Sequence, residues 1–192
     1  MTDTVFNGIS DMLRLIDSHK IRENDLKEIQ KIYTEAFPPE ERRDWKDVMR
    51  LLENESIFWL TAAYMDEELI GFITGWNFPE FIYMEHFATA PSARNKGYGA
   101  TIFSGVLSAS GKPHVIEVER PDNEMASRRI GFYERLGLHI SDRDYVQPPY
   151  AKGGSPVPMF IMTDKGYEKR WADEIHRTVY SYTAHAESGA AR

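Results

Sequence analysis

The sequence predicts a mixed α/β sheet with helices on both faces. Three observations carry this: an apolar hairpin pattern from Ile57 to Phe78, a β-α-β-α run from Phe81 to Gly137, and two further strand-sized apolar stretches between Leu138 and Met162. With 192 residues, 42% of them hydrophobic, 28% charged and 12% aromatic, the chain has the size and apolar content of one compact domain with a terminal addition. Wholesale disorder is excluded.

In chain order, Met12 to Ile16 reads as a short strand. Asn24 and Asp25 are offered as N-caps of a helix whose apolar face is Leu26, Ile29, Ile32, Tyr33 and Phe37, ended by Pro38 and Pro39. Trp45, Val48, Met49 and Leu52 recur at helical spacing and predict a second helix from about Glu41 to Asn54. The apolar run Ile57–Tyr64, the polar turn Met65-Asp66-Glu67-Glu68 and the run Leu69–Phe78 read as a β-hairpin. Phe81–Thr89 is a third strand closed by Pro91, and Arg94-Asn95-Lys96-Gly97-Tyr98-Gly99 leads into a helix from about Tyr98 to Ser110. Val115–Val118 is a strand, and Met125–Leu136 a helix that Gly137 closes at C′. Leu138 to about Gln147 and Val157–Met162 are strands joined by a loop rich in proline and glycine. Tyr167, Trp171, Ile175 and Val179 then mark a terminal helix that covers the core or forms a dimer contact, and the end SGAAR is expected to fray. The domain reading is therefore one domain over residues 1–164, with residues 1–10 flexible, and a helical extension over residues 165–192.

Charge and composition narrow the function classes. The 23 basic against 30 acidic side chains, a net charge of -7, argue against a general polyanion binder, so no nucleic-acid partner is expected. With no cysteine there is no disulfide framework and no thiol nucleophile, in keeping with a cytoplasmic, reducing location. Apolar runs fall far short of the roughly 20 residues of a membrane span, and the opening MTDTVFNGISDM lacks a basic and then apolar leader pattern, so no membrane association is expected. Histidines at positions 19, 86, 114, 139, 176 and 185 form no pair at ligand spacing, so no metal is expected.

The segment Arg94-Asn95-Lys96-Gly97-Tyr98-Gly99-Ala100 is the most informative for chemistry. Glycines let a backbone approach a ligand, and the N–H groups and dipole at a helix start favour an anion such as pyrophosphate. Alone, an Arg/Gln-x-x-Gly-x-Gly/Ala pattern arises by chance in about 0.2 chains of this length, so its placement between strand and helix carries the reading. The plain alternative is a helix-entry turn with solvated basic side chains. A Walker loop is absent, and a dinucleotide fingerprint fails where Ile102 stands in place of a small residue.

The runs EHFATAPSARNKGYGA, Glu85 to Ala100, and IGFYERLGL, Ile130 to Leu138, resemble in order and spacing two motifs of the GNAT superfamily of acyl-CoA-dependent N-acetyltransferases. The element order from about Asp11 to Met162 agrees. The resemblance implies a GNAT-like central mixed, mostly antiparallel sheet splayed in a V, with helices on both faces and, in this chain, an extra C-terminal helix. It also implies acetyl-CoA as co-substrate. Backbone groups of Asn95 through Ala100, aided by the charges of Arg94 and Lys96, would hold its pyrophosphate. Main-chain groups of Phe87, Ala88 and Thr89 would hold the pantetheine arm and the acetyl carbonyl. Tyr133 corresponds to the tyrosine that protonates the leaving thiolate in many members, and Glu85 stands where several carry a general base.

Chemistry independent of the resemblance supports these roles. A strand-end N–H meets the charge that develops on a carbonyl oxygen under attack. A phenol of ordinary pKa about 10 is protonated at neutral pH, and an attacking amine must lose a proton to a base or a water. Glu117 and Glu119, on one face of the next strand, are alternative bases or amine-binding groups. For each carboxylate the plain alternative is a solvated or structurally paired one. His86 is expected on the face opposite Glu85, as a packing histidine. Ala126 and Arg129 replace the asparagine and alanine of many members; Arg129 is a candidate for a CoA phosphate or a solvated helix arginine. Trp45, Trp76, Phe78, Phe81, Tyr145 and Tyr150 either line an acceptor pocket or, more commonly for such residues, fill the core.

The reading is an N-acetyltransferase moving an acetyl group from acetyl-CoA to a primary amine, small-molecule or peptide, by direct attack in a ternary complex, with a homodimer as its assembly. The competing readings are a non-catalytic acyl-CoA-binding module for sensing or regulation, and a phosphate-binding domain for another nucleotide.

Overall fold

The computed structural model describes residues 4–6 and 13–180, the first three by backbone alone. Expectations for Met12, His185, the SGAAR end and most of residues 1–10 lie outside the described residues. The chain forms two compact units, one of Met1–Phe37 with Leu52–Lys112 and one of Pro38–Leu51 with Pro113–Arg192.

The first unit is built on an antiparallel sheet in sequence order: β1 (Thr4–Phe6), β2 (Leu13–Asp17), β3 (Phe58–Met65), β4 (Glu68–Asn77) and β5 (Ile82–Thr89). Side chains alternate across a strand, so Phe72, Thr74 and Trp76 of β4 face one way and Gly71, Ile73 and Gly75 the other. Helix α1 (Glu23–Ala36) lays Tyr33 on the first face, 6.1 Å from the Phe72 ring and 4.9 Å from that of His86. Helices α2 (Trp45–Asn54) and α3 (Tyr98–Ser108) follow in the chain. Phe103 of α3 meets Phe87 at 5.4 Å, and a Cβ at Gly71 would come within 3.2 Å of the Ile102 side chain. Phe87 and Gly71 belong to the second face, so helices cover both faces of this sheet as the element order predicts.

Two helix starts differ from expectation. Helix α1 begins at Glu23, with Arg22 at the cap position and no side-chain cap. Asp25 is drawn instead into a tertiary cluster, accepting from Arg22 Nε at 2.7 Å and from Tyr64 Oη at 2.8 Å. Helix α2 starts at Trp45, since Pro39–Glu41 forms a separate 3-10 turn and extended Arg42 breaks the helical path.

One irregularity bears on the site. Across β4 and β5, Thr74 pairs with His86 but Gly75 pairs with Met84, so Glu85 is the extra residue of a β-bulge. Gly75 has no room for a side chain, because a Cβ there would sit 2.5 Å from both Tyr83 O and Trp59 Cζ2.

In the second unit, β9 (Val157–Thr163) is the centre of an antiparallel group. It pairs with β6 (His114–Glu119), β7 (His139–Asp142) and the short β8 (Val146–Gln147). Helix α4 (Glu124–Arg135) opens on Asn123, whose side chain accepts from Ala126 N at 2.8 Å. It closes with Gly137 at φ 91°, Leu138 N donating to Tyr133 O and Gly137 N to Glu134 O. The C-terminal α5 (Arg170–Ile175) and a π-helical turn (His176–Tyr180) bury Trp171, Ile175, Val179 and Tyr180. Of the four apolar positions that mark this helix, Trp171, Ile175 and Val179 are buried within the chain itself and Tyr167 is half-buried.

Candidate active site

In the first unit, β5 runs out through Phe87, Ala88 and Thr89 into a 3-10 turn at Pro91–Ala93 and then the exposed loop Arg94–Gly97. Asn95 at φ 62° and Gly97 at φ 81° take left-handed conformations, so the chain reverses sharply before α3. Gly97 is the N-cap of α3, has no side chain to cap the first turn, and has nothing within 4 Å of where a Cβ would stand. The start of an 11-residue helix therefore lies beside two exposed basic residues, Arg94 and Lys96. This arrangement suits an anion: backbone N–H groups, the helix dipole and mobile positive charge converge.

Glu85, four residues before Thr89, is half-buried. Its Oε2 accepts from Trp76 Nε1 at 2.7 Å. His86, the next residue, stands 3.4 Å from Thr74 Oγ1 through Nδ1 and packs edge-on against Tyr33 and Phe37. Strict alternation predicts opposite faces for Glu85 and His86, yet they bond to Trp76 and Thr74, which share one face of β4. The bulge is the reason, because its extra residue resets the alternation.

In the second unit, Tyr133 sits on the last turn of α4, its ring 5.1 Å from that of Phe132. Burial pushes its phenol up to about 12, against the pull of Arg129, so it is protonated at neutral pH. Arg129 pairs with Glu119. Glu117 accepts from three side chains: the Tyr145 hydroxyl, Gln147 Nε2 at 2.6 Å and Tyr180 Oη at 2.6 Å. Burial and the Glu117 carboxylate together drive the Tyr145 phenol far above its ordinary range. Glu41 is held above the usual carboxylate range by burial and by the charge of Glu119.

Of the aromatics considered for an acceptor pocket, Trp76, Phe78, Phe81, Tyr145 and Tyr150 are buried, with Phe78 and Phe81 stacked at 4.5 Å. Sequence reasoning missed the bulge, the indole donor to Glu85 and the donors to Glu117. No local pattern signals them, since Tyr180 lies 63 residues from Glu117. Among the described residues no group of three His, Cys, Asp or Glu side chains could hold a metal ion, and no helix is long and apolar enough to cross a membrane.

A sequence profile of the acetyltransferase (GNAT) family matches residues 26–138, which contain β5, the loop and α4. The chain belongs to the GNAT acetyltransferase family. This GNAT acetyltransferase is similar to a protein assigned to the same family from Bacteroides thetaiotaomicron, with 37% identity and a TM-score of 0.79, over 87% of this chain and 98% of the other. Its fold is shared by Naa50 of Arabidopsis thaliana, solved with the bisubstrate analogue CoA-Ac-MVNAL, at 17% identity and TM-score 0.56, over 81% and 99% of the two chains. It is also shared by spermidine N-acetyltransferase of Vibrio cholerae, solved with CoA and spermine, at 14% identity and TM-score 0.57, over 79% and 92%. No curated sequence relative matches this GNAT acetyltransferase.

Proposed function

We propose that this acetyltransferase uses acetyl-CoA as donor and a primary amine, small-molecule or peptide, as acceptor, by direct attack in a ternary complex. The observation that carries the reading is the Arg94–Ala100 loop, turned through left-handed Asn95 and Gly97 into the uncapped start of α3. Relatives of the same fold were solved with a peptide-bearing CoA analogue and with CoA and a polyamine, which supports an amine acceptor.

In this reading the backbone of Asn95–Ala100, with Arg94 and Lys96, binds the CoA pyrophosphate, and main-chain groups of Phe87, Ala88 and Thr89 orient the thioester arm. A strand-end N–H stabilises the charge that develops on the carbonyl oxygen. Glu85, directly or through a water, takes the proton that the amine must lose as the N–C bond forms. Tyr133 gives a proton to sulfur as the C–S bond breaks, and its elevated phenol keeps that proton available at neutral pH. Arg129 is paired with Glu119 in this structure; contact with a CoA phosphate would require it to exchange that carboxylate for the ligand.

Calorimetric titration with acetyl-CoA tests the reading. We expect micromolar binding by the wild type and at least a tenfold loss in a folded Gly97→Glu/Gly99→Glu variant, where added carboxylates repel the pyrophosphate. A folded wild type that binds neither acetyl-CoA nor CoA, with or without an amine such as spermidine, would overturn it. Because the chain has no cysteine, a thiol reagent reports only released CoA in the turnover assay that follows.

A further inference from the structure

Without the bulge in β5, Glu85 would not reach the face of β4 that carries Trp76. Continuing the register Thr74↔His86 by one step would set Glu85 opposite Gly75, whose neighbours in the pleat point away from Trp76. The observed register sets Met84 opposite Gly75 and Tyr83 opposite Trp76, and leaves Glu85 as the inserted residue. Its carboxylate then reaches the indole N–H at 2.7 Å.

The indole itself is held rigidly. Trp76 is fully buried, Phe58 packs on it at 4.9 Å, and its strand neighbour Gly75 is pinned beneath Trp59. A buried indole N–H needs an acceptor, and a carboxylate bonded to a fixed donor loses rotamer freedom. The donor also has one sign: it carries no acceptor, so it favours the ionised carboxylate, the form a base must start from.

We infer that Trp76 is the positioning residue for Glu85, delivered to it by the β-bulge, and that its indole N–H fixes and aims the carboxylate for proton abstraction. The inference rests on the reading of Glu85 as the base. The titratable groups on the elements around Glu85 in its unit are His86 and Tyr83 on β5 and Tyr33 on the inner face of α1. Glu68 lies at the far end of β4, and Tyr98 is the titratable residue of α3. The outer face of α1 carries Glu23, Lys27, Glu28, Lys31 and Glu35, while Asp25 turns to Tyr64 of β3.

The test uses the full chain labelled with 15N at its four tryptophans, with Trp76→Phe identifying the Trp76 indole signal. We expect that signal to move with a single inflection as pH is raised through the carboxylate range, and to stay flat in Glu85→Gln. A flat wild-type signal, or the same inflection in Glu85→Gln, overturns the contact. The kinetic arm measures CoA release with acetyl-CoA and spermidine, or a peptide with a free N-terminus, against pH. Trp76→Phe should move the acid limb of kcat/KM up by about one pH unit, the size expected for one hydrogen bond to a charged group, with KM for acetyl-CoA within twofold of wild type. If Glu85→Gln abolishes turnover while Trp76→Phe keeps the wild-type profile, the positioning role is wrong and the base stands. If Glu85→Gln turns over normally, the base reading itself fails, even where the indole signal shows the contact. The wild-type and Glu85→Gln spectra decide the contact even if Trp76→Phe folds poorly.

Discussion

The two compact units each place a glutamate on a strand, and the two are treated in opposite ways. Glu85 in the first unit is bulged out of its strand and receives an indole N–H. Glu117 in the second sits in a regular stretch of β6 paired with β9 and receives two phenols and an amide. A carboxylate whose lone pairs go to three donors from two other segments ties those segments to the strand. A carboxylate set on a bulge and bonded to a buried indole is placed by the pairing of two strands instead. The sequence puts Glu85 first and Glu117, with Glu119, as an alternative; the surroundings of Glu85 and Glu117 differ in kind.

The sharpest way to break this comparison is to neutralise each carboxylate in turn. Glu85→Gln should lower kcat by about 10²–10⁴-fold, the usual span of general acid–base catalysis, with a melting temperature close to wild type. Glu117→Ala should do the reverse, costing about 2–4 kcal/mol in denaturant unfolding as buried hydroxyl and amide donors lose their acceptor, while acetyl-CoA affinity is kept. Equal stability losses in both variants would erase the distinction. Tyr133→Phe comes next: kcat should fall by about 10²-fold with acetyl-CoA binding unchanged by calorimetry.

Gly75→Ala probes the bulge. Its Cβ would collide with backbone at Tyr83, so we expect a loss of about 1–3 kcal/mol from overpacking, together with a weakened response of the Trp76 indole signal to pH. The smallest effect belongs to His176 in the second unit, whose imidazole burial holds below its ordinary range despite Asp173 and a backbone bond at Val146. The unfolded chain then takes its proton first, so stability falls as pH drops below about 6.5. His176→Gln should flatten that slope between pH 7 and 5 in thermal melts.

Much of the fold was legible because it follows from local pattern. The hairpin of β3 and β4, the run through β5, α3, β6 and α4, and the Gly137 closure depend on alternation, helical spacing and one left-handed glycine. Helix starts were read less well. Asp25 has the chemistry of a cap, but Arg22 and Tyr64 claim its carboxylate once the chain is folded. The Arg94–Ala100 loop was legible for the same local reason as the hairpin, its conformation being set by its own residues, Asn95 and Gly97.

The sequence by itself determined the order of elements, the family and the loop suited to an anion, because each is written in contiguous residues whose spacing is their geometry. Only the tertiary structure decided which carboxylate is bonded to three donors and which is set on a bulge beside an indole. A bulge is a mismatch between two strands, and the donors of Glu117 come from segments up to 63 residues away. Neither leaves a periodic trace in the chain that carries it.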